Sequence, residues 1–177
     1  MAIQKLKEIL PPPIKAIHTG NEEAFNEFQD KLGVMLPNDY KQFVLTYGVG
    51  SIDDFIWVHN PFVENTALNF NEQMSDMLEA YNESRKNHPD HFKFPTFPEK
   101  GGILPWGGTD NGDELYWLTQ GDPENWKVLI YGTRSSDFVQ YALTMTDFLQ
   151  KVLNKEIICE FFPEDIPSEA PKFTPYE

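Results

Sequence analysis

A chain of 177 residues with 40% hydrophobic and 24% charged residues has the size and composition of one soluble globular domain, large enough to bury its own core. Its formal net charge of -14 repels nucleic acid and anionic membranes, so neither is an expected partner, and it favours a basic protein. The single cysteine, Cys159, excludes an intrachain disulfide and cysteine-rich zinc sites; with no apolar run near the ~20 residues of a membrane span and no signal-peptide pattern in Met1 to Leu10, the expected setting is cytoplasmic.

Taken in order, Ile3 to Leu10 places Ile3, Leu6, Ile9 and Leu10 at helical spacing, and Pro11, Pro12 and Pro13 end that helix. Residues 1–20 are read as an N-terminal helix and proline linker. A second helix is expected over Glu22 to Leu32, capped by Asn21 or Thr19, with Phe25, Phe28 and Leu32 on one face and Gly33 as its stop. Pro37 suits the first turn of a third helix, whose stripe is Tyr40, Phe43, Val44 and Tyr47. Phe55 to Val58 reads as a strand, preceded by Asp53 and Asp54 and closed by Asn60 and Pro61. Asn71 to Asn87 returns to helical spacing through Met74, Met77, Leu78 and Tyr81, with Arg85 and Lys86 at its negative end.

Gly101 to Tyr131 holds three of the four tryptophans and reads as a meander. A short strand at Ile103 to Trp106 is followed by a glycine-rich turn through Gly112, a strand at Glu114 to Thr119, and another at Trp126 to Tyr131. In the middle strand Leu115 and Trp117 face one way, Tyr116 and Leu118 the other. A further strand spans Phe138 to Leu143, and a closing helix starts on Thr144 with Met145, Phe148, Leu149 and Val152 inward. Residues 160–177 form an acidic, proline-rich tail that either drapes over the domain or stays disordered. The pattern is that of one α+β domain over residues 1–177: a largely antiparallel sheet with helices packed on one face.

The acids are unevenly placed. From residue 42 to 84 there is no Lys or Arg and there are seven acids, including Asp53 and Asp54; from 101 to 126 there is again none, with five acids, Asp110, Asp113 and Glu114 among them. These carboxylates do not spell out a catalytic apparatus. Neighbours on a strand point to opposite faces, so Asp53/Asp54 and Asp113/Glu114 are not general acid–base pairs in themselves, and a hydrolase would have to assemble its pair across the two stretches. Asp110, Asn111, Asp113 and Glu114 are hard oxygen donors without EF-hand spacing, and Asn111-Gly112 is a hairpin turn signal. His18, His59, His88 and His91 form no HExxH, no Walker loop follows the glycine pairs, and no G-x-S-x-G occurs, so no catalytic residue, metal or cofactor is expected.

One ordered set of motifs carries a resemblance. Leu32-Gly33, then Leu36-Pro37-Asn38-Asp39-Tyr40, Phe43 and Tyr47-Gly48-Val49-Gly50 resemble the opening of the SUKH superfamily, with Val49 interrupting its glycine-rich end. Ile103 to Trp106, Gly107 to Asp113 and Leu115 to Leu118 resemble its strand, glycine-rich turn and strand, and Thr144 to Leu153 its closing helix. The superfamily groups yeast cell-wall-assembly regulators with bacterial toxin-immunity proteins. The resemblance therefore implies an α+β fold and a binding role: an immunity protein that neutralises a nuclease-type toxin by covering its basic surface, or a regulatory scaffold. On that reading the partner-facing residues are expected to be Asp53, Asp54, Asp110, Asp113 and Glu114, with Trp57 and Trp106 as anchors.

Overall fold

The computed structural model describes residues 2–135 and 137–177. Helix α1 (Ala2–Ile9) buries Ile3 and Leu6, with Leu10 just beyond it. The following prolines cannot continue the ladder; the Leu10 carbonyl is taken instead by the Tyr47 hydroxyl at 2.6 Å. Helix α2 (Glu22–Leu32) starts where the Asn21 side chain accepts the Ala24 N–H and stops at Gly33, at φ 78°. Helix α3 (Asn38–Tyr47) follows Pro37, which stands at the cap rather than inside the first turn. Helix α4 (Phe70–Asn87) is capped by the Asn69 side chain, and α5 (Met145–Leu153) by Thr144.

Asp39 ties two helix starts together. One of its oxygens accepts from both the backbone N–H and the hydroxyl of Thr146 at 2.9 Å, and the other from the Tyr40 N–H at 2.8 Å. Thr146 is fully buried, so a carboxylate at position 39 satisfies two donors that have no access to water.

Seven strands form one antiparallel sheet in the order β6-β5-β4-β3-β2-β1-β7. In chain order they are β1 (Gly50–Ile52), β2 (Ile56–Val58), β3 (Ile103–Thr109), β4 (Glu114–Leu118), β5 (Lys127–Tyr131), β6 (Phe138–Tyr141) and β7 (Phe173–Pro175). Alternation splits the sheet into two faces. Leu104, Trp106, Leu115, Trp117, Val128 and Ile130 join the large core with the apolar stripes of α1, α2, α3 and α5. Ile103, Tyr116, Leu129 and Tyr131 face the other way and are covered by Leu78 and Tyr81 of α4. The class is the expected α+β with an antiparallel sheet; most helices share one face, and α4 crosses to the second, starting from Phe70 in the large core.

Three details differ from the sequence reading. The strand expected at Phe55 to Val58 is the second arm of a hairpin, and Asp53 and Asp54 are its turn, both at positive φ (52° and 50°). Acidic side chains tolerate that left-handed geometry better than most. Gly107 and Gly108, expected in a turn, extend β3 to Thr109, pairing with Val58 and Trp57 of β2 and, beyond a register shift at Pro105/Gly107, with Leu115 and Glu114 of β4. Glycine is required there because a Cβ on Gly107 would lie 2.4 Å from the Trp57 carbonyl oxygen. Of the acidic tail, expected either to drape over the domain or to stay disordered, Phe173–Pro175 form a strand: β7 pairs with β1 and becomes the sheet edge.

Candidate functional site

Asp53 explains how the tail is held. Its two oxygens accept from the Ser168 N–H (2.9 Å), the Ser168 hydroxyl (3.1 Å) and the Lys172 N–H (2.9 Å), and its own N–H donates to the Lys172 carbonyl. Both oxygens are therefore committed to folding the tail onto the β1–β2 turn. Asp53→Ala is expected to cost about 1–3 kcal/mol and to raise amide hydrogen exchange at Lys172 and through β7 while α2 and α3 stay protected. Unchanged exchange in β7 would show that strand pairing holds the tail without the carboxylate.

Trp106 and Asp113 are likewise internal. Trp106 is fully buried, in ring contact with Trp117 (centroids 6.3 Å), so it presents no surface to a partner. Asp113 is 4% exposed, and its oxygens accept from the Thr109 hydroxyl (2.9 Å) and the Thr133 N–H (3.1 Å), fixing the β3–β4 turn. The reason is register: the tight turn places Asp113 back across Thr109, and Trp106 shares the inward phase of Leu104. Glu114 is half-buried and accepts the Tyr116 hydroxyl at 2.7 Å; burial, offset by that hydrogen bond, raises its pKa.

Asp54, Trp57 and Asp110 remain at the surface, and two of them meet. The Trp57 indole N–H donates to Asp110 at 2.9 Å. Trp57 points away from the large core because Ile56 and Val58, its neighbours on β2, take the inward phase. Gly108 lies directly across from it with no side chain, so on that side the indole borders an open space. That space is a cleft of about 350 Å³, with Trp57, His59 and Gly108 from β2, its end and β3, Asn65 from the segment leading into α4, Gln73 from the first turn of α4, and Tyr176 from the tail. Asn65 donates to the Tyr176 hydroxyl at 2.7 Å, fixing the phenol beside Trp57 with ring centroids 6.5 Å apart at 75°.

His59 is the chemical surprise. It is 3% exposed, its Nδ1 has no hydrogen-bond partner, and burial pushes its pKa down to about 3, so the imidazole is neutral at physiological pH. Its backbone is held on both sides: the Tyr40 hydroxyl donates to its carbonyl at 2.7 Å and its N–H to Trp106. Tyr40, prominent in the sequence motif, thus positions one wall of the cleft.

The three chain segments lining the cleft, drawn from 42–84, 101–126 and 173–177, contain no Lys or Arg. Parts of the two base-free stretches thus meet at one aromatic depression, with Asp110 beside it at the Trp57 indole. His59, Tyr176, Gly108, Asn65 and Gln73 were not singled out in the sequence, because no local spacing links a strand end, a loop and a C-terminal tyrosine; only the shared lack of basic residues hinted at them. Among the described residues there is no group of three or more potential metal ligands, and no helix is long and apolar enough to cross a membrane.

No curated protein and no solved structure matches the chain. A family model described as SMI1-KNR4 cell-wall (SUKH_6) matches residues 22–149. That segment contains β1 to β6, the cleft's Trp57, His59 and Gly108, and the Asp39 and Tyr40 junction, while α1 and β7 lie outside it and complete the same core and sheet. With most of its length matched by that model, and with the helix junctions and antiparallel sheet in place, the chain belongs to the SMI1-KNR4 (SUKH) family.

Proposed function

We propose that the protein is a non-catalytic, cytoplasmic binding protein of the immunity type, which neutralises a nuclease-type toxin by covering its basic, phosphate-binding surface. The observation that carries this is an aromatic cleft lined by no Lys or Arg among the described residues, built from segments of the two base-free stretches and flanked by Asp110 at the Trp57 indole. Family membership supports a role as an immunity or cell-wall-regulator-like protein. A toxin groove built to hold phosphates is cationic; an acidic face steers encounter with it, and aromatic side chains amid the carboxylates supply the desolvated anchors that slow release. In this reading Asp54, Trp57 and Asp110 face the toxin, joined by Tyr176, whereas Asp53, Trp106, Asp113 and Glu114 maintain the shape of that face.

Co-expression with the toxin gene product encoded next to this chain should rescue growth, and the two proteins should co-purify in fixed stoichiometry. Rescue failing against every neighbouring gene product, with only housekeeping proteins captured, would replace the immunity reading with that of a regulatory scaffold.

A further inference from the structure

We infer that the cleft between Trp57 and Tyr176 is the seat of an arginine side chain presented by the partner protein, an inference that rests on the binding role proposed above. Its walls suit a flat cation. Trp57 and Tyr176 meet nearly edge to face, so the cleft offers aromatic surface set at 75°, and an arginine guanidinium stacks on such surfaces more readily than a compact, strongly hydrated ammonium.

Its acceptors are unspent. Asp110 uses one oxygen for the Trp57 indole, and the second accepts no hydrogen bond among the described residues. Gln73 donates its amide to the Thr66 carbonyl at 3.1 Å, which leaves the amide oxygen free to accept. His59, 97% enclosed, lines the same cleft as an uncharged ring whose Nδ1 is itself sealed from it. Two separated acceptors beside an aromatic face answer the planar, five-donor fork of a guanidinium better than the single point of an ammonium. The neutral His59 adds no opposing charge, and no Lys or Arg among the described residues lines the space. An anionic ligand would meet the Asp110 carboxylate beside the Trp57 wall and no counter-charge in the lining. A metal ion would find too few oxygens in reach, since no cluster of three metal-binding side chains exists among the described residues.

The test uses the whole chain and two small probes, N-acetyl-arginine amide and N-acetyl-lysine amide, titrated into isotopically labelled protein and followed by NMR. The arginine probe is expected to shift the Trp57 indole N–H, Gly108 and Tyr176, and to bind roughly three- to tenfold tighter than the lysine probe. Gly108→Val should abolish those shifts with the rest of the spectrum retained. A Cβ at Gly108 meets only the Asp113 carbonyl at 3.5 Å, so the strand accepts the side chain while the floor of the cleft is filled. Should that variant misfold, Tyr176→Ala removes a wall instead and should weaken the arginine probe by a similar factor. Asp110→Asn keeps an acceptor for the indole but removes the charge, and should weaken it about threefold or more.

Equal response to both probes, shifts spread over the acidic surface, or shifts that survive both Gly108→Val and Tyr176→Ala would overturn the arginine seat. Its failure is distinct from failure of the immunity reading. A positive titration with no toxin rescue sinks only the latter, and toxin binding left intact by Gly108→Val sinks only the former.

Discussion

Trp117→Ala is expected to lower the stability of the protein by roughly 3–5 kcal/mol, a large share of the about 5–15 kcal/mol that holds a typical domain together. Trp117 sits fully buried on β4 and touches Tyr40 (centroids 5.1 Å), Trp126 (5.9 Å), Trp106 (6.3 Å) and Phe70 (6.4 Å). It is therefore the joint between α3, the start of α4, and the tryptophans of the meander. Truncation leaves a cavity that the four surrounding rings cannot collapse into.

Trp117→Phe should cost much less, within about 1–2 kcal/mol. The indole N–H of Trp117 has no hydrogen-bond partner, and a buried donor of that kind carries a penalty of about 1–3 kcal/mol that phenylalanine removes. Urea denaturation decides the matter: the midpoint should fall sharply for alanine and slightly for phenylalanine, with the slope unchanged. Near-equal midpoints for the two variants would show that the ring cluster is not what holds the helices on the sheet.

The largest functional effect is expected from Asp54→Lys combined with Asp110→Lys. Each reversal changes the charge by +2, taking the net charge from -14 to -10. Association with a basic partner should slow at least about tenfold at low salt, and the difference should shrink as the Debye length falls from ~10 Å at 0.1 M toward ~3 Å at 1 M. Asp110 holds the Trp57 indole beside the cleft, so its reversal also frees that ring. Glu22→Lys with Glu23→Lys makes the same change in net charge on α2, whose apolar stripe packs in the core on the opposite face of the sheet. Stopped-flow association should separate the two pairs. Equal slowing by both would mean that total charge, and not the cleft, governs encounter.

The elements were legible in the sequence wherever one local rule decided them. Asn21, Gly33 and Thr144 mark the helix ends they were expected to mark, because capping involves only residues within one turn. Leu115 and Trp117 face the large core and Tyr116 the smaller one, as alternation requires. The motif around Asp39 and Tyr40 was legible as the start of the third helix. That Asp39 would hold the start of α5, and Tyr40 the carbonyl of His59, depends on partners 107 and 19 residues away. Misreadings arose where a residue type has two uses. Glycine signals turns, yet Gly107 and Gly108 are strand residues chosen for close approach and for an open floor. A carboxylate in an acidic run suggests a surface for partners, yet Asp53 and Asp113 use their oxygens to fix a tail and a turn.

The sequence by itself determined the class of fold, the family, and an acidic balance that favours a basic partner, since periodicity, turn chemistry and net charge are properties of short windows or of the whole chain. The tertiary structure alone decided which acids stay free and where they gather. Whether a carboxylate faces solvent or closes a loop depends on strand register and on the return of the tail, and a one-residue shift of register exchanges the two faces. Pairing of β7 with β1 brings Tyr176 to Trp57 across more than a hundred residues, and neither side chain carries any local mark of the other.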